Sequence, residues 1–98
     1  MITRIVKLSF PAENYSEFED IFYTSKPLID QFEGCESTNL FQDLNTPDLY
    51  FTISYWNSEA DLENYRKSDL FKSTWAKVKP LFNKKAEAWS LQGKVKLS

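Results

Sequence analysis

The side chains that could do chemistry in this chain are hydroxyl and indole groups, and they surround one strand-like stretch. Thr52, Ser54 and Trp56 alternate along that stretch, so a β-strand would place all three on one face. Tyr65 and Trp75 follow in segments with helical spacing. These groups can donate hydrogen bonds that orient a ligand, but a phenol with the ordinary pKa of about 10 is a poor base at neutral pH. The residue types therefore favour hydrogen-bond donation over proton abstraction.

The absence of histidine excludes several kinds of site. The chain has 98 residues and 0 His, so it lacks the usual haem ligand, zinc ligand and neutral-pH general base. Cys35 is the single cysteine, and without a histidine to activate it we interpret it as a small buried hydrophobe. The acidic cluster Glu59, Asp61 and Glu63 is typical of a helix start rather than a metal site. Because a Gly-rich phosphate loop is also missing, we expect no haem, flavin or metal cofactor.

The charges and the apolar runs exclude two classes of partner. Lys and Arg together number 12, Asp and Glu 14, and the net charge of −2 is spread over both signs without a basic patch. No apolar run approaches the length of a membrane span, and neither end resembles a signal peptide. We therefore expect a cytoplasmic protein with neither nucleic acid nor membrane as a partner.

The stretch from Leu49 to Trp56 predicts a central strand around which the other elements are arranged. It is rich in β-branched and aromatic residues, and neither face looks water-exposed, so we expect it to be covered on both sides. Ser58 then provides a helix N-cap, and Asp61 completes an acidic capping box. The strand face that does not carry Thr52 and Trp56 carries Leu49, Phe51, Ile53 and Tyr55.

The N-terminal part predicts a strand followed by a helix. Alternation from Ile2 to Phe10 indicates a strand. Asn14 with Glu17 predicts a capping box at the start of a helix, which Pro27 is expected to kink or end near the preceding lysine. Gly34 is interpreted as a C-terminal cap. A short second helical piece would carry Leu28, Ile29 and Phe32.

The C-terminal part predicts two further strands and a broken helix. A strand over 35–42 should pair with the central strand as a hairpin, since a turn-rich loop joins them. A helix runs from Ser58 to about Arg66, a break follows at 67–69, and a second helical stretch comes after it. The last strand covers 86–91, and the tail of 92–98 is expected to extend it.

This order, β-α-β-β-α-β, predicts a single α+β domain over 1–98 with a ferredoxin-like antiparallel sheet. Two helical regions can cover only one face of the sheet. The chain is also 16% aromatic, which is a heavy apolar load for its size. We therefore predict a homodimer that closes a barrel-like core through the open face. That face is formed by Leu49, Phe51, Ile53 and Tyr55.

Three short motifs resemble the antibiotic biosynthesis monooxygenase (ABM) family. They are Gly34-Cys35, the run Trp56-Asn57-Ser58-Glu59-Ala60, and Ser68-Asp69-Leu70-Phe71-Lys72 followed by Trp75. The resemblance covers nearly the whole chain and implies a dimeric α+β barrel. It also implies one of several activities, because the family includes cofactor-free quinone-forming oxygenases, haem-degrading enzymes and signal processors.

Carried over by position, the family's catalytic residues are mostly replaced. Trp56 is retained, but the histidine and asparagine positions of the quinone-forming and haem-degrading branches are not. For this reason haem turnover is not expected despite the local similarity. At the replaced positions this chain has Thr52, Tyr65, Leu70 and Trp75, and one further replaced position corresponds approximately to Val6.

The predicted fold brings the candidate residues into one cleft between sheet and helices, which suits a flat, mostly apolar ligand. Phe22 and Phe71 are also typical of a core-packing stripe, whereas Tyr65 and Trp75 fit packing and ligand contact equally well. The candidate catalytic residues are Tyr65, Thr52 and Trp56, and the candidate ligand-binding residues are Trp75, Phe22, Ser25, Ser54 and Phe71.

The resemblance implies a cofactor-independent monooxygenase that acts on a small aromatic or polyphenolic substrate in this cleft. Its three candidate catalytic groups would hydrogen-bond the developing oxyanion. The alternative is a non-catalytic dimeric barrel that binds a small apolar ligand. A third possibility is a purely structural domain whose own side chains fill the cleft.

Overall fold

The computed structural model describes residues 1–94, and it confirms the α+β, ferredoxin-like arrangement. Four antiparallel strands form one sheet in the order β2-β3-β1-β4, and the helices lie on one face of it. The predicted extension of the last strand by the tail includes residues 95–98, which lie outside the described residues. The elements are β1 (Ile2–Ser9), α1 (Tyr15–Asp30), β2 (Cys35–Gln42), β3 (Leu49–Trp56), α2 (Glu59–Arg66), α3 (Asp69–Val78) and β4 (Glu87–Gln92).

The strand register divides the sheet into two faces. Partners across antiparallel strands share a face, and Val6 of β1 is opposite both Thr52 and Ala88. That face lies under the helices and carries the fully buried Tyr50 and Trp56. We call it the inner face. The central strand thus has the two-faced character that its sequence predicts.

The other face, here called the open face, is not covered by any helix among residues 1–94. Ile53 lies at its middle, opposite Ile5 of β1, which in turn is opposite Trp89 of β4. Trp89, Phe41 and Leu91 are each about half exposed on it. An exposed apolar surface of this kind is typical of an interface.

Two buried clusters hold the helices on the inner face. The first joins β1 and β3 to α1 and α3, with Phe10 stacked on Phe18 at a ring-centroid distance of 4.3 Å. The second joins the end of β3 to α1 and α2 through Trp56, Ile29 and Leu62. The first cluster consists of Leu8, Phe10, Phe18, Tyr50 and Val78.

Of the two outcomes that the sequence predicts for Pro27, a kink or an end of the first helix, the end is wrong. Helix α1 runs through Pro27 to Asp30. Proline lacks an N–H, so one helical hydrogen bond is missing, but the next turn is held by the buried Ile29, which packs against Trp56. Leu28 is 55% exposed and therefore lies outside the apolar stripe. Packing of one buried side chain outweighs the lost hydrogen bond.

The predicted caps of α1 are also wrong. The Asn14 side chain does not cap the helix but donates to the Leu81 carbonyl oxygen at 3.0 Å. A short 3-10 turn over Ala12–Asn14 leads directly into α1 instead. Gly34 lies beyond the helix end at Gln31 and forms the turn into β2. By contrast, Ser58 caps α2 as predicted, since its Oγ accepts from the Asp61 N–H at 3.1 Å.

Replacing Gly34 with alanine is expected to lower the free energy of unfolding by about 1–2 kcal/mol, the cost of a left-handed backbone for a residue with a Cβ. The φ of Gly34 is 85°, and an added Cβ would lie 2.2 Å from the Asp61 Cγ. Gly93→Ala is the matched control, because nothing lies within 4 Å of its added Cβ. Urea unfolding of both variants provides the measurement. Equal midpoints for the two would contradict the prediction.

Candidate ligand-binding cavity

A cavity of about 380 Å³ lies between the inner face of the sheet and the three helices. The cleft is therefore not filled by its own side chains, as a purely structural domain would require. The surface that its lining residues expose is mostly apolar, and a volume of this size is typical of a small-molecule site. All eight residues that the sequence predicts for the site line it: Phe22, Ser25, Thr52, Ser54, Trp56, Tyr65, Phe71 and Trp75.

Helix α1 provides one wall of the cavity through helical periodicity. Phe18, Phe22, Ser25 and Ile29 are spaced by four, three and four residues, so they lie on one face of the helix. All four are buried and all four line the cavity. The remaining sequence of α1 is mostly polar, which fixes this face toward the sheet.

The break between α2 and α3 positions the opposite wall. The Ser68 hydroxyl donates to the Tyr65 carbonyl oxygen at 2.6 Å and accepts from the Phe71 N–H at 3.1 Å. One side chain thus ends α2 and caps α3. As a result the Tyr65 and Phe71 rings meet edge to face at 5.3 Å, and the Trp75 ring stacks on Phe71 at 6.0 Å with an 8° interplanar angle.

The strand and the broken helix together form a continuous aromatic wall, defined by Trp56, Tyr65, Phe71 and Trp75. The Trp56 and Tyr65 rings stack with their centroids 4.9 Å apart and their planes inclined by 27°. Phe32 packs edge to face on Tyr65 at 5.5 Å from behind. Each aromatic contact of this kind restricts ring orientation. The wall is therefore a preformed surface for a planar ligand.

The indole N–H of Trp56 already has a partner inside the protein. Trp56 is fully buried, and its Nε1–H donates to the Ser54 Oγ at 2.9 Å. A hydroxyl that accepts a hydrogen bond still has its own proton to donate. Within this pair, Ser54 is thus the group that can donate toward the cavity, while Trp56 orients it.

Tyr65 provides a hydrogen-bond donor that stays protonated. Burial, with a smaller contribution from Cys35, raises the pKa of the Tyr65 phenol to about 12. Among residues 1–94, no protein group hydrogen-bonds its hydroxyl. At neutral pH this phenol is therefore available as a donor and cannot serve as a base.

Two smaller hydroxyls add to the polar lining. Ser25 is buried on α1 and Thr52 is half-buried on β3, and both line the cavity. Neither side chain has a hydrogen-bond partner within the described part of the chain. Thr52 lies next to Ser54 on the same strand face, so these hydroxyls face the ligand space from the sheet, and Ser25 faces it from the helix.

Two cationic residues that line the cavity are not among the site residues predicted from the sequence. These residues are Arg4 and Arg66. The signal for Arg4 is the alternation of β1, because Arg4 shares its face with Val6 and Leu8. Arg66 directly follows Tyr65 at the end of α2.

The remaining parts of the described chain show no site for a metal. Over residues 1–94, no group of three or more Cys, Asp or Glu side chains is placed to hold one. In the same range no helix is long and apolar enough to cross a membrane.

Comparison with known proteins identifies the family. The antibiotic biosynthesis monooxygenase family matches residues 1–77. No curated protein matches the chain at a significant level.

Solved structures with the same fold superpose over nearly the whole chain. A conserved protein from Methanosarcina mazei Go1 has a TM-score of 0.89 at 23% sequence identity, covering 96% of this chain and 94% of its own. A Mycobacterium tuberculosis protein has a TM-score of 0.88 at 15% identity, covering 99% and 98%.

A variant of SnoaB, a cofactor-independent oxygenase from Streptomyces nogalater, has a TM-score of 0.86 at 14% identity, covering 98% of this chain and 95% of its own. At these identities the structures establish the fold alone. The family match covers most of the chain. It includes β1, β2, β3, α1 and α2 in full and all but the last residue of α3. This chain therefore belongs to the antibiotic biosynthesis monooxygenase family.

Proposed function

We propose that the protein is a cofactor-independent monooxygenase that oxidises a small, flat, electron-rich aromatic substrate in the cavity. The observation that supports this most directly is the aromatic wall facing hydroxyls that have no partner in residues 1–94. Such a site orients a planar ring against the wall and hydrogen-bonds an oxygen at its edge. The name of SnoaB shows that this fold supports oxygenation without a cofactor.

The substrate itself is the reductant in this reaction. Loss of a proton from a ring CH₂ that is conjugated with a ring carbonyl, the keto form of a phenol, gives an enolate, which passes one electron to O₂. The substrate radical and superoxide combine into a peroxide on the ring carbon. Cleavage of the O–O bond leaves one oxygen as a carbonyl and releases the other as water with the two ring hydrogens. All four electrons come from the carbon that becomes the carbonyl.

The protein's part is to stabilise the enolate oxygen. Tyr65, with its pKa raised to about 12 by burial, keeps its proton and donates to that oxygen. Ser54 and Thr52 donate from the sheet side. No carboxylate side chain is directed into the cavity from residues 1–94: Glu87 lines it, but its register with Lys7 places its side chain on the open face. The proton therefore leaves to water from a substrate that ionises readily.

Tyr65→Phe is expected to reduce kcat/KM roughly tenfold to a hundredfold, as for loss of a hydrogen bond to a charged oxygen worth about 1.5–3 kcal/mol. The measurement is oxygen consumption with a panel of polyphenols and anthrones, beside thermal stability. The rate should rise with pH through the pKa of the substrate, with no inflection from Tyr65 below about 12.

The matched control for this experiment is Tyr23→Phe, which removes a hydroxyl from a tyrosine that is 67% exposed and does not line the cavity. It should leave turnover unchanged. If Tyr65→Phe also leaves turnover of an active wild type unchanged, the phenol has no role in the reaction.

The second candidate function is a non-catalytic barrel that binds an apolar aromatic ligand. It is favoured by the pairing of the Trp56 N–H with Ser54 and by the lack of a base in the cavity. A ligand that raises the melting temperature without oxygen consumption by any substrate of the panel would support this function instead.

We also propose that the open face pairs with the same face of a second copy. The support is its exposed apolar side chains and its lack of a helical cover within the described residues. Leu49, Phe51, Ile53 and Tyr55 of β3 would lie at the centre of the interface, closing a barrel-like core.

A further inference from the structure

A row of polar residues crosses the inner face of the sheet at one end of the cavity. Ser54 of β3 is opposite Thr38 of β2 and Arg4 of β1, and Arg4 is opposite Ser90 of β4. We call these four residues the polar row. The next row along the sheet is mostly apolar and consists of Leu40, Thr52, Val6 and Ala88.

The cavity consequently has two chemically different ends. Thr38, Ser54 and Arg4 line the cavity near one end, where the apolar cluster of Trp56, Ile29 and Leu62 lies beyond the polar row. Leu8 and Val78, both buried, line the other. A ligand that fills the cavity must therefore present a polar group at one end and apolar surface at the other.

Arg4 has unused hydrogen-bonding capacity at the polar end. Its Nη1 donates to the Ser90 Oγ at 2.9 Å, which uses only one of the five N–H donors of a guanidinium. The ion pairs within residues 1–94 are Lys26–Asp30 and Arg66–Glu63, and neither includes Arg4. Arg4 is thus a half-buried cation without a carboxylate partner in the described chain.

A second cation lies beside the same end. Arg66 lines the cavity, and its pair with Glu63, at 3.3 Å between two largely exposed side chains, is weak. Burial and then the charge of Arg66 lower the pKa of the Arg4 guanidinium, while Glu63 acts in the opposite direction. Two positive charges that disfavour each other across a cavity are relieved by an anion bound between them.

We propose that the polar end binds a carboxylate carried by the aromatic ligand, with Arg4 as its main partner and Arg66 as a second one. A planar guanidinium matches a carboxylate with two parallel hydrogen bonds. The Ser54 and Tyr65 hydroxyls then lie at the ring edge next to the acid. This inference rests on the proposed ligand cavity, and it names the substrate class as aromatic acids.

The test compares acids with neutral partners of the same shape. Binding is measured by calorimetric titration of the protein with three acids of increasing ring number: benzoate, naphthoate and anthracene carboxylate. The methyl ester of each acid is titrated in parallel. We expect at least one acid to bind roughly tenfold to a hundredfold more tightly than its ester, as for a charge-assisted hydrogen bond. Added salt should weaken binding of the acid and leave binding of the ester unchanged.

Three variants of the two arginines and one control variant show which residues cause the preference. Arg4→Gln should remove the preference for the acid and leave ester binding unchanged, whereas Arg4→Lys should retain part of it because a positive charge remains. Arg66→Gln should have the smaller effect, since Arg66 is more exposed and paired. Lys72→Gln changes an exposed charge on α3 that does not line the cavity, and it should have no effect on the preference.

The outcomes separate this proposal from the proposed oxygenase function. If an acid binds through Arg4 but no polyphenol or anthrone of the oxygen-consumption panel is turned over, the carboxylate site is supported and the oxygenase function is contradicted. If neutral polyphenols are turned over and acids are not preferred to their esters, the oxygenase function is supported and the carboxylate site is contradicted. Failure of all three acids to bind more tightly than their esters, or a preference that survives Arg4→Gln, overturns it as well.

Discussion

Trp56→Ala is expected to lower the free energy of unfolding by about 3–5 kcal/mol, the cost of deleting a buried tryptophan side chain. Trp56 is 0% exposed and packs with Ile29 and Leu62 at the junction of β3, α1 and α2. Its removal also frees one end of the aromatic wall and leaves Ser54 without its hydrogen-bond donor. Since small domains are stabilised by only about 5–15 kcal/mol, the variant should unfold at a much lower urea concentration.

Trp56→Phe is the matched variant for this prediction. It keeps an aromatic ring on Tyr65 but loses the N–H that donates to Ser54, so we expect an intermediate loss of stability. Urea unfolding followed by circular dichroism measures all three proteins. A Trp56→Ala midpoint equal to that of the wild type would show that this junction does not hold the helices on the sheet.

If the protein forms the proposed dimer, Ile53→Asp is expected to convert it into a folded monomer. Ile53 lies at the middle of the open face, opposite Ile5 on β1 and Asn39 on β2. In a dimer the new carboxylate would be buried without a partner, at a cost of several kcal/mol or roughly a hundredfold or more in the dissociation constant. In the monomer it would remain in water. Sedimentation velocity at micromolar concentration measures the change.

The control is Leu28→Asp, the same kind of substitution at a leucine that is 55% exposed on α1 and away from the open face. It should leave the oligomeric state unchanged. A well-folded wild-type monomer at micromolar concentration would contradict the dimer proposal, and so would an Ile53→Asp protein that still forms dimers.

The fold is predictable because its local signals agree with its tertiary contacts. The run Leu49–Trp56 has the composition and alternation of a strand, and it forms β3 over those residues. Ser58 caps α2 as predicted, and its hydroxyl donates to the Asp61 carboxylate, although the backbone bond of a full capping box is not among the hydrogen bonds of residues 1–94. Where the local signal and the contacts disagree, the contacts prevail: Ile29 keeps α1 intact past Pro27, and the Asn14 side chain serves a distant carbonyl.

The cavity residues are predictable for the same reason, but its charge is not. Alternation on β3 and helical spacing on α1 place the predicted hydroxyls and rings around one space. Arg4, in contrast, is an isolated charge in a strand, which by itself is typical of a solvated surface. The alternation of β1 places Arg4 on the face of Val6 and Leu8, and the pairing of β1 with β3 and β4 shows that this face continues the row of Ser54 toward the ligand space. The roles of all these residues remain predictions.

The three tryptophans of the chain occupy three different environments. Trp56 is the fully buried end of the aromatic wall, Trp75 is the partly exposed end of the same wall, and Trp89 is half exposed on the open face. Intrinsic fluorescence therefore contains three separable reporters. In proteins that retain one indole each, the emission of Trp56 follows unfolding, quenching of Trp75 follows occupancy of the cavity, and the spectral shift of Trp89 follows association of two copies. The native chromophores can thus measure folding, ligand binding and assembly without an added label.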